Sequence, residues 1–165
     1  MNRTRNGFSW KQIGIATLFV LACEAVGIVG ALTTDTGESS WYAGLEKPAF
    51  NPPGWVFGPV WTTLYALMGI AAFLVWRAGT DRPEVRRALG LFAAQLVLNA
   101  VWTPIFFGAE SIVGGAVVIV VLLVVLALTV RAFFRVSTVA GWLLVPYLLW
   151  IAFATLLNLS IWALN

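Results

Sequence analysis

The sequence predicts an all-α integral membrane protein, a bundle of five transmembrane helices with one structured loop between the first and the second. Three observations carry this. Of 165 residues, 61% are hydrophobic and only 10% charged, against roughly 25% charged in an ordinary soluble domain. The apolar residues gather into five stretches long enough to cross a bilayer, which takes about 20 residues of helix. The basic residues then fall in alternate connections, as the positive-inside bias requires.

The five stretches run near Gln12–Leu32, Val56–Trp76, Ala88–Gly108, Ile112–Phe134 and Thr138–Leu164 of a single membrane domain covering 1–165. The first follows Arg3, Arg5 and Lys11 and has the flanks of a signal peptide. Its apolar run is longer than the usual 7–15 residues, so a retained helix is expected. Gly114 and Gly115 in the fourth stretch and Pro146 in the fifth are tolerable, because membrane helices carry both residue types. Arg3, Arg5 and Lys11 precede the first span, Arg77, Arg82, Arg86 and Arg87 separate the second from the third, and Arg131 and Arg135 separate the fourth from the fifth. Nine of the ten basic residues thus lie on one side, and only Lys47 on the other. The expectation is a cytoplasmic N-terminus and an outside C-terminus.

Composition also limits the chemistry. With a mean hydropathy of +0.91, disordered, fibrous and nucleic-acid-binding readings are excluded. The chain has no histidine and one cysteine, Cys23, which removes an internal disulfide, the commonest metal ligand and the usual general base. No metal site and no cofactor are expected, and Cys23 reads as a small buried apolar residue. What stands out is aromatic: nine Trp, eleven Phe and three Tyr.

The long connection, residues 33–55, does not have the composition of a floppy linker. Trp41, Tyr42, Phe50 and Trp55 alternate with Pro48, Pro52, Pro53 and Gly54, so fixed φ angles present amphipathic rings at the membrane surface. A structured lid and an interfacial anchor both fit this pattern.

The runs WYAGLEKPAFNPPGWVFGPVWTTLY, AAQLVLNAVWTPIFFG and VPYLLWIAFATLLN together resemble the TspO/MBR family, in order and in separation. With the five-helix topology, the likeness covers nearly the whole chain from the first helix onward. It implies a membrane receptor or translocator with a cavity among the helices, below the long loop, that takes tetrapyrroles such as protoporphyrin. By the same resemblance the ligand-binding positions are Tyr42, Trp61, Tyr65, Asn99, Trp150 and Ala154, with Phe57 and Trp102 as further lining. Trp41, Pro48, Phe50 and Pro53 shape the lid. Phe50 stands where the family commonly has Trp, so a ring is kept and an N–H donor lost. The C-terminal ATLLNLSIWALN lacks the Tyr-then-Lys/Arg pattern linked with cholesterol contact, and sterol binding is not carried over. The resemblance also offers an enzyme alternative, oxidative and light-assisted porphyrin breakdown with Trp61 and Trp150 in radical chemistry. No acid/base pair supports it.

The residues themselves leave alternatives open. Helical spacing places Trp61, Tyr65 and Met68 on one face of the second span, and Pro146, Trp150, Ala154 and Asn158 on one stripe of the fifth. In the third span, Gln95, Asn99, Trp102 and Phe106 share a face, which should point into the bundle as interhelical glue or cavity lining. Trp10, Trp55, Trp76, Trp142 and Trp162 lie near span ends, where an aromatic belt explains them. Trp61 and Trp150 lie inside spans, and core packing or a stacked flat ligand would both satisfy them. Glu24 is the single acidic residue within a span; ionised near a helix centre it would cost about 2.5–3.5 kcal/mol, so it is protonated, paired or cavity-facing. Small residues Gly27, Ala31, Gly90 and Ala94 suggest close helix contact and a homodimer face. The resemblance implies a porphyrin-type tetrapyrrole as partner; the residues themselves point to the lipid bilayer, to no nucleic acid, and to a second copy of the chain as a candidate.

Overall fold

A computed structural model describes residues 9–34, 37 and 39–165. Its helices are α1 (Trp10–Leu32), α2 (Trp41–Gly44), α3 (Phe57–Arg77), α4 (Pro83–Thr103), α5 (Ile112–Val136) and α6 (Thr138–Leu164). All but α2 are long and apolar enough to cross a membrane, as expected.

Local chemistry sets the boundaries and corrects two of them. Helix α1 starts at Trp10 rather than Gln12, because Ser9 accepts from the Gln12 amide while the Gln12 side chain accepts from the Ser9 amide, a reciprocal capping box. Helix α4 starts at Pro83, five residues before the apolar stretch, since proline is pre-organised for a first helical turn and Glu84 complements that end. Arg86 and Arg87, expected in a loop, therefore stand on its first turns. At the other end α4 gives way to a π turn, Pro104–Gly108, closed by the Ala109 amide on the Pro104 carbonyl at 2.9 Å. Pro104 has no N–H to continue the α-helical ladder, and such a break favours a wider turn. Ser137 ends α5 and caps α6 in one residue, accepting from the Ala140 amide at 3.3 Å, which makes these two helices immediate antiparallel neighbours.

The five long helices close into a ring in the order α1, α3, α6, α5, α4, with α1 returning to touch α4. Helix α1 is the most exposed member of this ring; Cys23 is its only buried residue among those described. It approaches α3 through two glycines. A Cβ on Gly27 would lie 2.6 Å from Cδ2 of Tyr65, and one on Gly69 would lie 2.5 Å from the Val20 Cα, so a methyl at either point would push the helices apart. Gly27 therefore packs within the chain. Gly90 and Ala94 are exposed, as the face suggested for a second copy must be.

Because the helices alternate in direction, Lys11, Arg77, Arg82, Arg86, Arg87, Arg131 and Arg135 gather at one end of the bundle and the lid at the other. Arg3 and Arg5 lie outside the described residues. Of the tryptophans at span ends, Trp10 at 89%, Trp55 at 77%, Trp142 and Trp162 are exposed, whereas Trp76 is half-buried and packs against Phe19 and Phe73; Trp61 and Trp150 are partly buried against the core.

Candidate functional site

The lid-side half of the bundle holds two joined aromatic clusters. In the first, Phe57, Trp61 and Tyr65 descend one face of α3 at four-residue spacing, and Trp150 meets them from α6. Trp61 stacks on Tyr65 at 5.3 Å, stands edge-on to Trp150 at 6.5 Å and 86°, and edge-on to Tyr147 at 6.2 Å. Phe57 meets the Trp150 ring at 5.8 Å. Ala154, one turn beyond Trp150, packs against the same core without adding a ring. These are T-shaped and offset contacts, the arrangement ring quadrupoles favour.

Beneath the rings runs a chain of buried hydrogen bonds across three helices. The Tyr65 hydroxyl donates to Oδ1 of Asn99 at 2.5 Å, Nδ2 of Asn99 donates to the Tyr147 hydroxyl at 2.9 Å, and that hydroxyl donates to Oε1 of Gln95 at 3.0 Å. Gln95 and Tyr147 are fully buried and Asn99 nearly so. Both amides of the α4 face thus point into the bundle, where Asn99 serves first as interhelical glue between α3 and α6. Sequence reasoning missed Tyr147. Its position three residues before Trp150, beside the Pro146 already placed on the α6 stripe, was the available signal. Nε2 of Gln95 has no hydrogen-bond partner among the described residues.

The second cluster forms where the lid lands. Trp102 stacks on Phe106 at 5.1 Å and 14°, and stands edge-on to Phe107 at 5.9 Å; the π turn supplies both phenylalanines. Helix α2, capped by Ser40 accepting from the Ala43 amide, lowers two rings onto them. Trp41 meets Phe106 at 5.6 Å, and Tyr42 meets Phe107 at 5.3 Å. Leu157 and Ile161 of α6 complete the cluster, and Trp102 packs against both clusters.

The lid is held by several contacts of its own. The Tyr42 hydroxyl donates to Oδ1 of Asn51 at 3.4 Å, and the Lys47 ammonium sits 4.6 Å above the Tyr42 ring while donating to the Leu45 carbonyl at 3.0 Å. Burial pushes the Tyr42 phenol above its ordinary value, against a smaller opposing effect of the Asn51 hydrogen bond. The Pro48 carbonyl accepts from the Asn51 amide at 2.9 Å and the Pro53 carbonyl from the Val56 amide at 3.0 Å, so both prolines start turns. Phe50 reaches Phe153 at 6.3 Å, and Phe153 lies 5.5 Å from Trp150, which links the lid to the first cluster. Asn165, also unforeseen, pairs with the backbone of Glu46: its Oδ1 accepts from the Glu46 amide and its Nδ2 donates to the Glu46 carbonyl, each at 3.0 Å.

A cavity of about 290 Å³ lies elsewhere, at the seam where α1 meets α4, lined by Ala25, Val26, Val29, Gly30, Thr33, Ala100 and Pro104. None of the predicted site residues lines it. Glu24 is partly buried and forms no ion pair among the described residues. No three Asp, Glu, Cys or His side chains among those residues converge in a way that could hold a metal ion.

The profile of the TspO/MBR family matches residues 19–163. Over 155 residues the chain is 46% identical to the tryptophan-rich protein TspO of Chlorobaculum tepidum, covering 94% of this chain and 98% of that protein. It is 43% identical to the translocator protein of Homo sapiens over 148 residues, covering 89% and 88%. It is 42% identical to the tryptophan-rich sensory protein of Cereibacter sphaeroides over 147 residues, 89% of each chain. The five-helix bundle, the aromatic lid and this likeness along almost the full length agree: the chain is a multi-pass membrane protein that belongs to the TspO/MBR family.

Proposed function

We propose that this protein is a membrane receptor or translocator that binds a porphyrin-type tetrapyrrole, or another flat hydrophobic molecule, among the lid-side aromatic clusters, with a sensory or regulatory role in tetrapyrrole metabolism or stress. The observation that carries the reading is the convergence of Phe57, Trp61, Tyr65 and Trp150 from two helices inside the bundle. Rings at that depth are not explained by an interfacial belt, and their faces suit a stacked aromatic macrocycle. The names translocator and sensory protein carried by relatives support the role. Affinity comes from apolar burial and stacking, and the lid, tied to both clusters through Phe50, Trp41 and Tyr42, must move for entry. The clustering of Arg at the opposite end supports a lid on the outer side of the membrane, by the positive-inside bias.

Protoporphyrin titrated into the purified protein, followed by Trp fluorescence, tests the reading. Trp61→Ala and Trp150→Ala should each weaken binding by about tenfold or more, the scale of a lost aromatic contact plus its buried area. Unchanged affinity in both variants rules out the site.

A further inference from the structure

Asn158 lies on the α6 stripe that carries Trp150 and Ala154, one turn closer to the lid. It is 2% exposed, and neither its Nδ2 nor its Oδ1 has a hydrogen-bond partner among the described residues; Nε1 of Trp102, in the adjoining cluster, is likewise buried and unpartnered among them. Buried amides are normally satisfied, and an orphan with both edges free is a group built for something else. The packing around it is close, with room for the amide only because one neighbour is a glycine. Gly115 of α5 faces it without a side chain, and a Cβ there would stand 3.2 Å from Nδ2 of Asn158 and 2.6 Å from Cδ2 of Phe106. Phe106 in turn carries the lid rings Trp41 and Tyr42 and stacks on Trp102.

Resting on the tetrapyrrole reading above, we propose that Asn158 and Trp102 form the polar subsite of the ligand pocket and select a neutral edge that both donates and accepts hydrogen bonds. A primary amide, a lactam or an un-ionised carboxyl presents a donor and an acceptor side by side, which matches the two free edges of the Asn158 amide, and the Trp102 N–H adds a second donor to the acceptor atom. An ionised carboxylate fits poorly. The residues packed in this cluster are aromatic or aliphatic, and Lys47 is committed to the Ala43 and Leu45 carbonyls above the Tyr42 ring, so a bare charge would be buried without a counter-ion. A ligand reaching Asn158 displaces the Phe106 contacts with Trp41 and Tyr42, which couples recognition of its polar edge to lid movement.

The test uses the full chain in detergent micelles with protoporphyrin, its diamide and its dimethyl ester, the last of which accepts but cannot donate. The wild type should bind the diamide about tenfold more tightly than the diester, the worth of one or two buried hydrogen bonds. In Asn158→Leu that preference should fall to within about twofold, while the ligand-free protein melts no lower than wild type, because an unsatisfied amide has been replaced by an apolar side chain. Trp102→Phe, which keeps the stack on Phe106 and loses only the N–H, should weaken diamide binding about fivefold and serves if Asn158→Leu does not fold. For the diacid, binding that strengthens as pH falls assigns the edge to an un-ionised carboxyl, and pH-independent weak binding assigns it to an amide or lactam. If both variants keep the wild-type preference, or Asn158→Leu lowers the melting temperature and leaves affinity unchanged, the subsite is overturned and the tetrapyrrole reading stands. If the wild type binds none of the three porphyrins, both fall together.

Discussion

Tyr147 is the residue on which the hydrogen-bond chain turns, and removing its hydroxyl has a calculable cost. The oxygen accepts from Asn99 at 2.9 Å and donates to Gln95 at 3.0 Å in a fully buried position. Tyr147→Phe keeps the ring and its edge contact with Trp61 and deletes both bonds. Interhelical hydrogen bonds in membrane proteins are worth about 0.6–1.7 kcal/mol each. Gln95 then loses its remaining hydrogen bond: Nε2 already has no partner among the described residues, so the whole amide becomes an orphan, at about 1–3 kcal/mol. The expected loss is about 2–6 kcal/mol, measured by far-UV circular dichroism during SDS titration in mixed micelles. Gln95→Leu added to Tyr147→Phe should recover at least about 1 kcal/mol, since it removes the orphan. Tyr65→Phe, which breaks a single bond at the end of the chain, should cost less than Tyr147→Phe. A Tyr147→Phe protein within about 0.5 kcal/mol of wild type, the scatter of ordinary surface substitutions, or a double variant no more stable than the single one, would refute the chain as a stabilising element.

Three further outcomes are expected. Gly69→Ala forces a methyl against the Val20 backbone, 2.5 Å from its Cα, and should destabilise by about 1–3 kcal/mol, whereas Gly90→Leu, with nothing within 4 Å, should leave monomer stability unchanged in the same titration and abolish a dimer, by light scattering, if that face pairs two copies. Asn165→Ala removes both bonds to Glu46 and should raise hydrogen exchange at the Glu46 amide by about tenfold, one to two hydrogen bonds' worth; unchanged exchange dismisses Asn165 as a latch. Tyr42 has its pKa raised in the folded protein by burial, so its contribution to lid stability is fully present below the ordinary phenol value of about 10 and is lost as pH rises through the folded value; exchange in the lid should increase above pH 10 in the wild type, with that component missing in Tyr42→Phe.

How much of this was legible beforehand differs from residue to residue. The face Gln95, Asn99, Trp102 and Phe106 could be read from helical spacing, because two amides cannot face lipid without cost, and the structure turns all four inward. The partners of those amides could not. Tyr147 and Tyr65 lie 48 and 34 positions from Asn99, and nothing local joins them. The start of α4 was missed because hydropathy marks where lipid begins and not where helix begins, and Pro83 starts the helix five residues earlier. The lid residues were recognisable from their Pro and aromatic pattern, but their landing place was not, since the π turn that offers Phe106 and Phe107 depends on how Pro104 breaks the end of α4. Gly27 was legible as a point of close helix contact, but that its neighbour is the Tyr65 ring of α3 was not.

By itself, then, the sequence determined the five spans, their alternation, the gathering of basic residues at one end and the aromatic character of the lid, because each depends on transfer of local segments between water and lipid, and segment composition sets that free energy. The tertiary structure alone decided which rings touch, which amides are satisfied and which are left open. Those outcomes rest on helices separated by tens of residues meeting at particular rotations, as when the ring order α1, α3, α6, α5, α4 brings Trp61 to Trp150 and leaves Asn158 facing Gly115, and packing geometry of that kind has no one-dimensional signature.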